Sequence, residues 1–448
     1  MEKEYVTVIG AGLAGCEAAW QLSRHDIAVR LVEMKPQKYS AAHKYSGFSE
    51  LVCSNSLKAM RLSSAAGLLK EEMRRMGSLT VPCAYDNAVA AGGALAVDRE
   101  GFSDSITEKI RNDPNITIEC AEAEVIPENN VIIATGPLTS GGLAADIRRV
   151  CGDYLSFYDA AAPIVTADSI DMSRAFCAAR YGRGGDDYIN CPFDKEEYLR
   201  FHHELVNAES APLHDFDRPD GELTVYEGCM PIEVLAKRGE DAARYGAMKP
   251  VGLYDPVTGK RPYAVVQLRR ENDAGTLYNI VGFQTNLKFG EQKRVFSMIP
   301  GLENAEFVRY GVMHRNSFID SPRLLDAGFS MKKDPRIFFA GQITGVEGYM
   351  ESAASGIIAG INMARRIKGQ SAFVPPADTM TGALTRYAAD ESISDFQPMG
   401  ANMGILPGLD EKIKDKQARY QSIADRALGS LERYCTENEL VTYIGKNG

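Results

Sequence analysis

No stretch of this 448-residue chain approaches the roughly eighteen uninterrupted apolar residues of a membrane-spanning helix. The first residues, Met1-Glu2-Lys3-Glu4-Tyr5, lack the basic-then-apolar layout of a secretory signal, so the sequence predicts a cytoplasmic protein. Nine cysteines are present, yet none forms a Cys-x-x-Cys pair, which excludes a zinc ribbon or a thioredoxin-type dithiol. An odd count in a reducing compartment means free thiols. The six histidines do not cluster with the cysteines, and no metal site is expected. There is no general excess of positive charge either: the formal net charge is −10, and only the stretch from Lys249 to Arg336 is locally basic, with fourteen Lys and Arg against nine Asp and Glu. That patch could meet phosphates or be a solvated surface, and charge alone does not decide. Internal repeats and low-complexity tracts are absent.

What is present is a globular composition, 45% hydrophobic and 25% charged, in a chain long enough for two or three domains. The first thirty-three residues read as β-α-β: an apolar run Tyr5–Ile9, a glycine-rich turn, a helix from Leu13 to Arg24, and a strand from Ala28 ending at Glu33. Such a unit implies a parallel α/β sheet. Helical spacing recurs from Leu57 to Met76, and again from Asp98, a candidate cap, to Asn112. Residues 130–136 read as a buried strand closing on glycine. Beyond Cys151 the texture turns to short strands, turns and aromatics until about Pro322. The α/β pattern then returns with a strand at 336–341, a helix from Met350 to Lys368 and a polar helix from Asp410 to about Tyr434. The expected architecture is a Rossmann-like FAD-binding domain built from 1–150 and 325–448, the latter with a C-terminal helical tail, interrupted by a strand-rich insertion at 151–324.

Gly10, Gly12 and Gly15 follow a strand and open a helix, the context a dinucleotide fingerprint requires. Within Gly10-Ala11-Gly12-Leu13-Ala14-Gly15, the first glycine permits a tight turn and the second lets backbone approach a pyrophosphate. The third allows close helix–strand packing, and the helix N-terminus favours phosphate charge. Glu33, eighteen residues past Gly15, is placed for a ribose hydroxyl. Ala134-Thr135-Gly136 and the late segment Gly341 to Tyr349, with Glu347 and Gly348, favour FAD over NAD, since a helix start there would face an isoalloxazine. No second GxGxxG unit appears, so NAD(P)H would have to bind without its own Rossmann unit.

Two thiols stand out. Cys53, in Leu51-Val52-Cys53-Ser54-Asn55-Ser56-Leu57-Lys58, precedes the expected Leu57–Met76 helix, whose start and Lys58 would favour a thiolate. Cys229 lies two residues before Pro231, which suits a first helical position. A free cysteine is more often an inert buried one, and local context alone leaves both readings open.

At these residues the chain resembles the methylenetetrahydrofolate- and FAD-dependent tRNA (uracil-5-)-methyltransferases. The resemblance spans nearly the whole length: VIGAGLAGCEAAWQLS (8–23), LVCSNSLK (51–58), VDREGFS (97–103), NVIIATGPLTS (130–140), YEGCMPIE (226–233), MHRNSFIDSP (313–322) and FFAGQITGVEGYMESAASG (338–356). The two cysteine segments are the most specific of these. The resemblance implies methylation of uracil C5 in tRNA, at the T-loop uridine, with FAD as cofactor and 5,10-methylenetetrahydrofolate and NAD(P)H as co-substrates. It implies Cys229 as the thiolate adding to uracil C6 and Cys53 as the second essential thiol, a proton acceptor, with that division of labour open. The target base would have to be extruded into the flavin cleft. Lys288, Lys293, Arg294, Arg309 and Arg315 are candidate phosphate contacts. Neither a membrane nor an obligate protein partner is expected. The same chemistry on ribosomal RNA, a wobble-uridine-modifying flavoprotein and a non-catalytic flavin- and RNA-binding protein are the competing readings. The second lacks room here for its long C-terminal helical extension, and mere binding would need neither thiol.

Overall fold

The β-branched run at the N-terminus forms a strand buried on both faces, and everything that positions the cavity described below grows from it. A computed structural model describes residues 5–139, 141–152, 155–182, 184–211, 230–311, 313–394 and 396–440. Its five-stranded parallel sheet has the order β16 (Ile337–Phe339), β7 (Val131–Ile133), β1 (Tyr5–Ile9), β2 (Ala28–Glu33), β6 (Ile116–Cys120). A strand from the far end of the chain therefore pairs beside β7, so the sheet is complete only when both ends of the sequence have come together.

The fold class is the expected α/β Rossmann-like one with a strand-rich insertion. The insertion contributes a six-stranded antiparallel sheet, β10 (Phe176–Cys177), β11 (Tyr188–Phe193), β12 (Ala264–Arg270), β13 (Leu277–Ile280), β9 (Ile164–Thr166) and the edge strand β14 (Phe307–Arg309). A ribbon of β8 (Leu155–Ala160) with β15 (Met313–Phe318) leads in and out of it. A small sheet of β3 (Ser56–Ala59), β5 (Ala94–Val97) and β4 (Ala88–Val89) lies near the cavity. Buried apolar side chains gather in two main clusters. One draws on residues 6–151 and 319–440, the other on residues 165–307.

Helices follow local chemistry closely. Helix α1 spans Leu13–Arg24. Helix α3 (Arg99–Arg111) is capped by Asp98, whose carboxylate accepts the Gly101 N–H at 2.9 Å. Helix α6 (Tyr349–Ile367) lies against α1 with no room between them: a β-carbon on Gly356 would stand 2.1 Å from the Ala14 carbonyl oxygen.

Two expectations need correction. The Leu57–Met76 segment is not one helix. Lys58 sits at φ 65°, which breaks helical geometry, and residues 56–59 pair with β5 instead. Helix α2 (Ala65–Arg75) starts only where the Ser64 hydroxyl caps the Gly67 N–H. The tail helix, too, begins later than Asp410. Asp415 caps the Ala418 N–H at 2.7 Å and opens Lys416–Glu437 (α8), whose apolar face, including Ile423, Ala427 and Leu431, is buried. Helix α4 (Lys195–Asn207), helix α5 (Phe289–Phe296) and helix α7 (Met380–Tyr387) complete the elements needed below.

Candidate active site

The turn after β1 is tight because Gly10 holds φ 97° with its N–H bonded to the Val32 carbonyl. Gly15 packs helix on turn: a β-carbon there would sit 1.8 Å from the Gly10 oxygen. Gly12 is the opposite case. It has nothing within 4 Å of its β-carbon position, and it begins α1 without a side-chain cap. The start of α1 thus opens onto a cavity of about 480 Å³. Gly10, Ala11, Gly12, Leu13 and Ala14 line that cavity, whereas Gly15 supports the turn from behind.

Glu33, at the end of β2, also lines the cavity. Its carboxylate is fixed by backbone donors, accepting the Ala11 N–H at 2.7 Å and the Lys35 N–H at 3.0 Å. One acid therefore joins the glycine turn to the end of the neighbouring strand while facing the space a ribose would fill. Across the cavity stand Gly341, Glu347, Gly348 and Tyr349. Gly341 and Gly348 have φ of 85° and 121°, and Gly348 precedes α6 with no side-chain cap. Two uncapped helix N-termini and a fixed carboxylate around one elongated space fit a dinucleotide such as FAD.

Cys53 lines the same cavity. It does not sit at a helix N-terminus as expected; it lies in a loop leading into β3. What it has in place of a helix end is Tyr349. The phenol oxygen accepts the Cys53 N–H at 2.8 Å and the Ser54 N–H at 3.3 Å, and lies 3.0 Å from Cys53 Sγ. Burial, followed by the charge of Cys53, holds the Tyr349 phenol well above its ordinary value, so it stays protonated. Lys58, expected to assist the thiolate, instead pairs with buried Glu351 in the first turn of α6 at 2.8 Å.

A cationic frame that the sequence reading missed surrounds the Cys53 loop. Arg269, at the end of β12, donates to Asn55 Oδ1 at 3.0 Å and to Ser54 Oγ at 2.9 Å. Asn55, fully buried, donates in turn to the Val97 and Arg270 carbonyls at 3.0 and 2.9 Å. Arg99 pairs with Glu271 and donates to the Leu51 carbonyl. Arg99 lies within the VDREGFS stretch, but a role for it depends on Glu271, which is 172 positions away (271 − 99). Arg309 lines the cavity half-buried and, among the described residues, donates no hydrogen bond and pairs with no carboxylate. Burial, and then neighbouring Arg99, pull its guanidinium below its ordinary value. Asn316, 4% exposed, lines the cavity as well.

The other basic candidates divide. Lys288 is tied to Glu209 at 2.5 Å, and Arg294 to Glu291 at 2.8 Å and to Glu204. Lys293 is exposed with no partner among the described residues. The side chain of Arg315 and the whole of Cys229 lie outside the described residues. Among those described, no group of histidine, cysteine and acidic residues could hold a metal, and no helix is long and apolar enough to cross a membrane.

Residues 5–371 match the family model described as glucose inhibited division protein A. The chain is 58% identical over 436 residues to the methylenetetrahydrofolate–tRNA-(uracil-5-)-methyltransferase TrmFO of Acetivibrio thermocellus, covering 97% of this chain and 99% of that protein. It is 57% identical over 441 residues to the protein of the same name from Heliobacterium modesticaldum, covering 98% of this chain and all of the other. Among solved structures it resembles Aquifex aeolicus GidA, with TM-score 0.69 at 18% identity over 98% of this chain and 75% of that one. That last likeness concerns the fold.

Proposed function

The chain belongs to the methylenetetrahydrofolate–tRNA-(uracil-5-)-methyltransferase family, and from that membership we propose that it methylates C5 of a T-loop uridine in tRNA. The one-carbon unit comes from 5,10-methylenetetrahydrofolate and the reducing equivalents from NAD(P)H. One observation carries the reading to this molecule: the Cys53 sulfur shares a cavity with the glycine turn, Glu33 and the uncapped start of α6.

Gly10, Ala11, Gly12, Leu13 and Ala14 would take the pyrophosphate of FAD, with Gly15 holding α1 close behind them. Glu33 would take a ribose hydroxyl, and Gly341, Glu347, Gly348 and Tyr349 would flank the ring. When bound, FAD supplies the hydride that completes the methyl group and the redox chemistry around it.

The protein's own part is to make C5 nucleophilic and then to remove its hydrogen. The Cys229 thiolate forms a bond to C6, and the C5–C6 π pair moves toward O4 as an enolate. C5 then bonds to the methylene carbon, whose two bonds to folate nitrogen break with the electron pairs left on nitrogen, one as C5 attacks and the other as hydride arrives. Cys53 accepts H5 as a proton, and expulsion of the Cys229 sulfur restores the C5–C6 double bond. Tyr349, a protonated donor 3.0 Å from Sγ, supports Cys53 as a thiolate before that transfer.

The test is conversion of uridine to 5-methyluridine with methylenetetrahydrofolate and NAD(P)H, offering unmodified tRNA and ribosomal RNA side by side. The expected result is product in tRNA from a yellow protein, and none from Cys229→Ala that still holds its flavin. Product in ribosomal RNA alone overturns the tRNA target, and full activity of Cys229→Ala overturns the nucleophile.

A further inference from the structure

The insertion presents a ladder of three aromatic rings. Phe307 and Tyr310 stack with centroids 5.4 Å apart and planes 9° from parallel, and Tyr310 stacks on Phe289 at 5.0 Å and 19°. Phe307 roots the ladder by packing on the core of the insertion. At the other end Phe289 is 57% exposed. Offset stacking is one of the preferred arrangements of aromatic rings, so the outermost ring of a stacked ladder can take a further flat ring on its remaining π-face.

Phe289 opens α5, and Lys293, four residues on, projects from the same side of that helix. The neighbouring cations Lys288 and Arg294 are engaged by three carboxylates, Glu209, Glu291 and Glu204. Lys293 is exposed and forms no ion pair among the described residues, so its ammonium is available beside the open end of the ladder. The ladder is joined to the cavity wall through the backbone, although none of its three rings lines the cavity. Arg309 lines the cavity, and the chain next to it is Tyr310, one Cα step of about 3.8 Å away.

We infer that Phe289, backed by Tyr310 and Phe307, is a stacking platform for an unpaired nucleobase of the RNA substrate, with Lys293 on the adjoining phosphate. This rests on the proposed function and extends it to a contact outside the cavity. A flat π-face beside a free ammonium matches a nucleotide, which is planar and anionic. An apolar protein partner would leave the Lys293 ammonium without a partner. Stacking tolerates any base, so the platform would hold the loop in place rather than read its sequence.

The test uses the full-length flavoprotein and unmodified tRNA. Phe289→Ala should weaken tRNA binding about fivefold to one-hundredfold, the range of one lost base–aromatic stack. KM for tRNA should rise with kcat little changed, and the flavin absorbance should stay as in the wild type. Phe289→Trp should keep binding and Phe289→Leu should not. Lys293→Ala should lower the slope of log affinity against log salt by about one. Unchanged tRNA binding by Phe289→Ala, or Leu performing as well as Trp, overturns the platform. So does a changed sedimentation coefficient of Phe289→Ala with RNA binding intact, which would assign the ring to a protein contact. If the wild type binds tRNA through Phe289 but methylates none, the proposed reaction fails while the platform stands.

Discussion

The phenol oxygen of Tyr349 receives the backbone N–H of Cys53 at 2.8 Å while lying 3.0 Å from the same residue's sulfur. With the Ser54 N–H also directed at it, both acceptor positions of that oxygen are filled. Its own proton is left to point at Sγ. Backbone geometry thus favours Tyr349 as the donor to the sulfur. Tyr349→Phe should retain its flavin but lose about tenfold or more in rate at neutral pH, the worth of one hydrogen bond to a charged group. The loss should shrink as pH rises, because alkaline conditions regenerate the thiolate without help. A pH–rate profile that keeps its shape and position would remove this role.

Gly12 and Gly356 should fail in different ways. A β-carbon at Gly12 meets open space, and one at Gly356 meets the Ala14 carbonyl at 2.1 Å. Gly12→Ala should therefore fold with an unchanged urea midpoint when flavin-free, yet purify with little flavin. Gly356→Ala should be destabilised by about 1–3 kcal/mol, the usual cost of overpacking, because α6 must move off α1. Equal stability losses in both variants would contradict the assignment of Gly12 to the cofactor.

Asn55→Ala should separate positioning from binding. Its amide oxygen is an acceptor for buried Arg269, and its amide nitrogen ties the Cys53 loop to β12 and β5. Removing it leaves a desolvated guanidinium short of an acceptor, at a cost of about 1–3 kcal/mol. We expect kcat to fall while flavin content and KM for tRNA stay near wild type. A fully active variant would show that the Cys53 loop needs no such anchor.

One acid in α2 should make a contribution to stability that falls as pH rises through neutrality. Burial pushes the Glu72 carboxyl up to about 7 from an ordinary 4.5, against the opposing pull of the Thr381 and Met380 N–H groups at the start of α7. The folded state therefore holds this proton more tightly than the unfolded chain does. The stabilisation is complete below about 4.5 and is lost on the way up through 7. It amounts to up to about 3 kcal/mol by linkage. Between pH 5 and 8 the urea midpoint of the wild type should fall relative to that of Glu72→Gln. Midpoint curves that run parallel in wild type and variant would refute the assignment.

The sequence by itself determined the elements whose cause is local. Tyr5–Ile9, the glycine turn, Leu13–Arg24 and Ala28–Glu33 lie where periodicity and the spacing of Gly10, Gly12, Gly15 and Glu33 put them, and Asp98 caps the helix it was expected to cap. The strands, the helix and the cap depend on residues a few positions apart, and Glu33 is placed by the length of one β-α-β unit. Only the tertiary structure decided the surroundings of Cys53. Apolar spacing from Leu57 suggested a helix, but pairing with β5 and the positive φ of Lys58 made a strand, so the thiol's donor became Tyr349, 296 residues away. It also decided which cations are free: Glu209 and Glu204 neutralise Lys288 and Arg294 across more than 75 residues, whereas Lys293 is left open. A side chain's charge state and partners depend on what the folded path brings within hydrogen-bond distance, and spacing along the chain carries no record of that path.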